Sequence, residues 1–233
     1  MRERTFDEFD EYASDYRSVH TQNIKLSGAD SFYFAKMKVK LLRSTEKNVP
    51  LKILDLGCGD GATELFMQEF FPDWKVTGID VSRQSIDVAM ARKLSNAEFL
   101  IYDGSKTNYP NGSFDIIFVA GVLHHVNFDL HPDIIKEIWR LLKKGGRLYL
   151  FEHNPLNPVT RHLVNTCVFD KHARLLDCNY SVNLLRKNQL TIVKRDFIIF
   201  FPRKGLLSKL IFLEPYLRSI PFGGQYFIQA IKP

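Results

Sequence analysis

Ile53-Leu54-Asp55-Leu56-Gly57-Cys58-Gly59-Asp60-Gly61-Ala62-Thr63 runs from an apolar stretch straight into three glycines and out into a helix expected over about Ala62 to Phe71. Glycine at 57, 59 and 61 lets the backbone turn sharply and approach a ligand without interference from a Cβ. Cys58, between two of them, reads as a small filler rather than a nucleophile. A dinucleotide-binding fingerprint spaces its glycines G-x-G-x-x-G, whereas here they run G-x-G-x-G with Asp55 two residues upstream. A pyrophosphate favours a helix N-terminus clear of carboxylates, so the acid beside this loop argues against a dehydrogenase.

Outward from this stretch, short β-rich runs alternate with helical ones, the pattern of a parallel sheet with crossover helices. Strands are expected at 51–56, 75–79, 98–102, 115–119, 147–151, 192–200 and 226–231. Asp115-Ile-Ile-Phe-Val119 is apolar at nearly every position, so both of its faces must be covered. A helix is predicted over His131 to Leu142, with Pro132 in its first turn, and Ile134, Ile135, Ile138, Leu141 and Leu142 on one face. Lys143 and Lys144 suit its C-terminal dipole, and Gly145-Gly146 a left-handed cap. Ser82 is the expected N-cap of another crossover helix. The fold class is therefore α/β: a doubly wound, Rossmann-like seven-stranded sheet, mostly parallel with an antiparallel last strand, plus helical caps. Residues 1–49 are expected to form an N-terminal helical cap, and 50–233 the main domain with cap insertions at 153–189 and 202–222. In open α/β sheets ligands bind beyond the carboxyl ends of the strands, so such additions would roof the crevice and select the substrate.

Two more acids end apolar strands. Asp80 closes Val76-Thr-Gly-Ile-Asp80, where an acidic side chain can accept from both ribose hydroxyls of a nucleoside; the alternative is an acid capping the helix that starts near Ser82. Asp103 closes Phe99-Leu-Ile-Tyr-Asp103 before Gly104. With Asp55-Leu-Gly-Cys-Gly-Asp-Gly61 matching their first motif at each defining position, the chain resembles the class I S-adenosylmethionine-dependent methyltransferases of small-molecule type. The resemblance is strong over 51–152 and weaker beyond. It implies S-adenosylmethionine as cofactor, with S-adenosylhomocysteine as product, held by Asp55, Gly57, Cys58, Gly59, Asp80, Val81, Asp103, Gly104, Ala120 and Gly121. Asp55 would receive the ammonium of the methionine end, and Asp103 the adenine amino group. Tyr16, paired with Tyr12, resembles the aromatic N-terminal helix that closes over the methionine end; the alternative is a tyrosine pair packing on its own helix face.

Val119-Ala-Gly-Val-Leu-His-His-Val126 falls where the family aligns the cofactor's sulfonium with the acceptor. Methyl transfer from a sulfonium is an in-line displacement, so the protein supplies alignment, a dry pocket and, for a hydroxyl acceptor, a base. An imidazole near its ordinary pKa of about 6.5 is a competent base near neutral pH, which makes His125 the first candidate, followed by His124 and His153; capping of the local turn is the alternative. His20, Glu152, Asn154, Asn157 and Arg161 are further candidates by position. Asn154-Pro155 partly resembles the Asn-Pro-Pro-Tyr signature of adenine-amino methyltransferases, but it follows the fifth strand rather than the fourth and lacks the aromatic. Base methylation of nucleic acid is set aside. No cluster of oxygen ligands recurs at coordinating spacing, so no metal is expected.

Cys58, Cys167 and Cys178 form an odd set without C-x-x-C spacing, which argues against a disulfide framework or a structural zinc site. The acidic start lacks the basic and apolar regions of a secretory signal, and no apolar run approaches the roughly 18 residues of a membrane span. A cytoplasmic protein is expected. Residues 153–233 hold 12 Lys or Arg against 4 Asp or Glu, so the basicity belongs to the C-terminal third. Lys194, Arg195, Arg203, Lys204 and Lys209 alternate there with apolar Ile198 to Phe201 and Leu206 to Leu213. That mixture suits an anionic or lipid-linked acceptor and peripheral membrane contact, or a solvated face. Glu152 to Arg161, with Cys167-Val-Phe-Asp170, is similar to methyltransferases associated with bacterial surface polysaccharides. The expected reaction is transfer of a methyl group to an O or N atom of a small acceptor, such as a sugar or lipid-linked intermediate. A quinone-type methyltransferase and a cofactor-binding, non-catalytic regulatory subunit are the alternatives. Monomer and homodimer are equally open.

Overall fold

The computed structural model describes residues 31–167 and 170–233; Tyr12, Tyr16 and His20 lie outside the described residues. Seven strands form one sheet: β1 (Lys52–Leu56), β2 (Lys75–Asp80), β3 (Ala97–Ile101), β4 (Phe114–Ala120), β5 (Leu142–His153), β6 (Thr191–Ile198) and β7 (Gln225–Ile231). Their spatial order is β3-β2-β1-β4-β5-β7-β6. Strands β1 to β5 are parallel, and β7 inserts antiparallel between β5 and β6.

Helices cover both faces: α1 (Ser31–Arg43), α2 (Ala62–Phe70), α3 (Arg83–Ala91), α4 (His131–Leu141), α5 (Pro158–Thr166), α6 (Cys178–Lys187) and the short α7 (Glu214–Leu217). Alternate residues of a strand point to opposite faces, and the central strands divide accordingly. Ile53, Ile116 and Phe118 pack with Val39 and Leu42 of α1 and Phe66 and Met67 of α2. Leu54, Ile117 and Val119 pack with Ile135 and Ile138 of α4 and Val182 and Leu185 of α6. Strands covered on both sides must be apolar throughout, which is why β4 is nearly continuous in hydrophobic residues.

The two outlying segments therefore contribute layers as well as additions. Residues 31–43 cover the sheet face through α1, and within 153–189 the helix α6 (Cys178–Lys187) supplies a buried crossover. Helical periodicity at Val182, Leu184 and Leu185 carries that role, since burying such a stripe needs a sheet to lie on.

The expected helix starts are met, but the expected end of the 131–142 helix is not: α4 stops at Leu141 with Leu142 already extended. Gly145-Gly146 therefore turns within β5 instead of capping the helix, and Lys143 pairs with Asp115. The Ser82 hydroxyl accepts from the Ser85 N–H as the N-cap of α3, and Pro132 occupies the first turn of α4. Strand β5 differs: Leu142 already pairs with Phe114, and the ladder slips before resuming at Ile116 and Arg147. Strand β6 stops at Ile198 rather than running to 200, because Ile199 takes a φ of 64°. The turned Ile199 carbonyl accepts from Gly224 N at 2.8 Å, so the chain leaves the sheet there.

Candidate functional site

The parallel strands bring five chain segments to one edge of the sheet. After β1 comes the glycine loop, after β2 Val81, after β3 Asp103 and Gly104, after β4 Gly121 and the two histidines, and β5 itself ends in Glu152 and His153. Strand order reverses direction between β1 and β4, and a crevice opens at such a switch point because the flanking connections depart to opposite faces.

The glycine loop is shaped by two different demands. Gly57 has a φ of +79°, and a Cβ there would collide with Val122 Cγ2. Gly59, at a φ of +54°, has nothing among the described residues within 4 Å of its Cβ position, so the loop presents bare backbone to the crevice. The Gly59 N–H donates to Asp80 Oδ2 at 2.8 Å, and the Ser82 N–H to Asp80 Oδ1 at 2.9 Å. Asp80 thus braces the loop and opens α3 at once, so its carboxylate is fixed in orientation at the lip of the crevice. Asp103, exposed, accepts from the Ser105 N–H at 2.8 Å and the Ser105 hydroxyl at 2.6 Å.

Asp55 lies underneath, 2% exposed, beside the fully buried Glu64 of α2. Burial pushes the Asp55 carboxyl up to about 7, and nearby Asp80 adds to the rise. Glu64 is held well above the usual carboxylate range by burial and by the charge of Asp55. The sequence reading missed Glu64, whose helical position gives no sign of facing β1. It also missed Lys38 of α1, whose positive charge bears on both Asp55 and His153. Cys58 packs with Ile86, Ala89 and Phe99, and burial raises its thiol well above the ordinary range. It fills space.

Across the switch point the histidines form a cluster. His124 is 3% exposed, and its Nδ1 lies 2.6 Å from Glu152 Oε2. Glu152 Oε1 accepts from the N–H groups of Val122 and Leu123 at 3.2 and 2.8 Å. The turn is held from below by His131, whose Nε2 lies 2.9 Å from the Leu123 carbonyl and whose Nδ1 lies 2.9 Å from the Tyr180 hydroxyl. Asp170 enters from the segment after α5, with Oδ1 at 3.7 Å from His124 Nε2 and 3.5 Å from His125 Nε2. The ring of His153 stands 5.2 Å from that of His124.

These neighbours split the imidazoles. Burial opposes charge on His124, but Glu152 and Asp170 outweigh it and lift the pKa to about 9. Burial and the His124 cation push His125 down to about 3 and His153 down to about 4. Asp170 is drawn down to about 2, its interaction with the His124 imidazolium overcoming its burial. The ordinary imidazole expected at His125 is therefore not what the fold makes. Asp170 lies in the Cys167-Val-Phe-Asp170 stretch that the family resemblance singled out, but nothing in the sequence places it beside His124 and His125.

Two of the positional candidates serve the scaffold. Asn154, 1% exposed, donates from Nδ2 to the carbonyls of Pro221 and Gly223 at 3.0 and 2.7 Å. Asn157 caps α5 by accepting from the Thr160 N–H and donates to the Phe222 carbonyl. Both tie the 202–222 segment to the end of β5.

Comparison with known proteins agrees with this arrangement. Residues 53–146 match the family described as "Methyltransferase domain". Phosphoethanolamine N-methyltransferase 1 of Arabidopsis thaliana is 32% identical over 105 residues, 44% of this chain and 21% of that protein. Demethylmenaquinone methyltransferase of Lactococcus lactis is 30% identical over 154 residues, 62% of this chain and 59% of that protein. The chain thus spans less than two thirds of the length of these curated relatives. A crystal structure from Thermotoga maritima, described as an S-adenosylmethionine-dependent methyltransferase and possible histamine N-methyltransferase, superposes with a TM-score of 0.73. At 20% identity it covers 99% of this chain and 100% of its own, and shows the shared fold.

Proposed function

We propose, from the premise that the chain carries a methyltransferase domain of the S-adenosylmethionine-dependent fold, that it transfers a methyl group from that cofactor to an O or N atom of a small-molecule acceptor. The observation that carries this reading is the bond from Gly59 N–H to Asp80 at 2.8 Å, which couples the open glycine loop to an oriented carboxylate at the switch point. In this reading Asp80 accepts from the ribose hydroxyls and Asp103 from the adenine amino group. Val81, Gly104, Ala120 and Gly121 line the crevice, and Asp55 faces the ammonium of the methionine end with Gly57, Cys58 and Gly59 shaping the loop above it. Tyr16 would close that end. A doubly charged pyrophosphate would instead meet the negative charges of Asp80 and Asp55.

On the acceptor side, His124 carries the charge while His125 and His153 stay neutral. An imidazole whose pKa is about 3 is a weak base near neutral pH, since Brønsted behaviour favours a base with pKa close to the operating pH. His125 and His153 accordingly orient the acceptor rather than remove its proton. An amphiphilic acceptor of the kind named in the relatives, phosphoethanolamine or demethylmenaquinone, or a sugar or lipid-linked one, suits the C-terminal third. There Leu206, Phe212 and Tyr216 are 79%, 67% and 81% exposed beside Lys204 and Lys209, which fits contact with a lipid surface. Among the described residues no helix is long and apolar enough to cross a membrane.

Calorimetric titration with S-adenosylhomocysteine tests the cofactor reading. Wild type should bind at micromolar affinity, Asp80→Ala at least about tenfold more weakly, a loss of roughly 1.4 kcal/mol, and NAD should give no heat. Absence of S-adenosylhomocysteine binding by folded protein rejects the reading.

A further inference from the structure

The histidine cluster brings two imidazoles onto one carboxylate oxygen. One ligand atom from each of His124, His125 and Asp170 lies within 4.8 Å of the other two, and the Nε2 atoms of both histidines approach the same Asp170 Oδ1 at 3.7 and 3.5 Å. Strong N–H···O bonds are about 2.7–3.2 Å long, so both imidazole nitrogens approach the carboxylate oxygen at more than strong hydrogen-bond distance. Three ligand atoms each about 2.1 Å from one ion would stand roughly 3.0–3.5 Å apart, close to the 3.7 and 3.5 Å separating the two imidazole nitrogens from Asp170 Oδ1.

We propose that His124, His125 and Asp170 bind a divalent transition-metal ion, with an open coordination position toward the acceptor side of the crevice. Two imidazoles and one carboxylate form a donor set that favours zinc, iron or manganese over magnesium, which prefers oxygen alone. Three protein ligands with an open position are the arrangement of reactive rather than structural sites.

The surroundings support this on separate grounds. The other ring nitrogen of His124 is 2.6 Å from Glu152, and a carboxylate behind a ligating histidine fixes its tautomer and strengthens it as a donor. Glu152 is itself anchored by two backbone N–H groups. The segment that bears Asp170 is tied to the histidine turn, since Arg174 N–H donates to the His124 carbonyl at 2.8 Å. Charge also balances: two carboxylates whose side chains are 1% and 13% exposed are neutralised by one divalent ion among neutral imidazoles. The ligands are 46 positions apart at the extremes, 124 against 170, so no ligand spacing announces them.

Metal binding itself does not depend on the methyl-transfer reading; only a role for the ion toward the acceptor does. The full-length protein, stripped with chelator, is titrated calorimetrically with ZnCl2, MnCl2 and MgCl2. The expected result is one equivalent of zinc or manganese bound at micromolar affinity or tighter and at least tenfold weaker magnesium. His125→Gln and Asp170→Asn should each weaken binding about 100-fold while retaining the circular dichroism and S-adenosylhomocysteine affinity of wild type. His124 is left intact because its replacement would strand the buried Glu152. The proposal is overturned if wild type shows no saturable binding of zinc or manganese, the cluster then holding only a proton on His124. Binding that neither substitution weakens overturns it equally. Neither result touches the cofactor reading, which the S-adenosylhomocysteine arm measures separately.

Discussion

Replacing Gly57 by alanine imposes two separable costs, because the residue has a φ of +79° and a Cβ there would clash with Val122 Cγ2. Holding an L-residue in the left-handed region costs about 1–2 kcal/mol, and forcing a methyl into a filled space costs about 1–3 kcal/mol. Gly57→Ala alone should therefore destabilise the protein by roughly 2–5 kcal/mol. Val122→Ala removes the obstructing methyls and leaves the backbone strain, at its own cost of about 1 kcal/mol for a half-buried side chain. In a double-mutant cycle followed by urea unfolding, the pair should be more stable than the sum of the singles predicts by about 1–3 kcal/mol, with an unchanged slope against denaturant. Additivity within about 0.5 kcal/mol would refute the steric part of the argument and leave only conformational strain. The test also links the halves of the crevice, since Val122 stands at the start of the histidine turn.

Other consequences follow from the same geometry. Asp55 is raised to about 7 from an unfolded value near 4, so the folded protein binds the extra proton between these values. Stability of the free protein should fall as pH rises through that window. Affinity for S-adenosylhomocysteine should climb as Asp55 ionises and level off above about pH 7; a flat profile from pH 5 to 8 would separate Asp55 from the ammonium. Glu46 accepts from Arg147 at 2.5 and 2.8 Å and from the Tyr149 hydroxyl at 2.6 Å, so Glu46→Ala should cost about 3 kcal/mol by stranding the partly buried guanidinium. Thermal or urea unfolding at matched salt would read this. Asn154→Asp turns a donor that faces two carbonyl oxygens into an acceptor. It should destabilise the 202–222 segment more than Asn154→Ala does, which limited proteolysis and hydrogen exchange across that segment would show.

Much of this protein follows from chain-local physics. Glycine spacing with an acid upstream distinguishes the loop 57–61 from a dinucleotide site, continuous apolar runs mark β1 and β4 as central, and Ser82 and Pro132 mark helix starts. Each depends on neighbours within a few residues, so the sequence carries it directly. The acids at the strand ends are legible for the same reason, once parallel strands are inferred to share an edge. How buried charges face one another is set instead by the packing of the folded chain. Glu64 comes to Asp55, and Glu152 and Asp170 come to His124, through packing of segments remote in the chain. Their consequences, a carboxylic acid titrating near 7 and adjacent histidines divided between charged and neutral, follow from desolvation and Coulomb interactions at a few ångströms. Such interactions depend on distance in space, and residue order does not encode that distance until the sheet has formed and its connections have been packed.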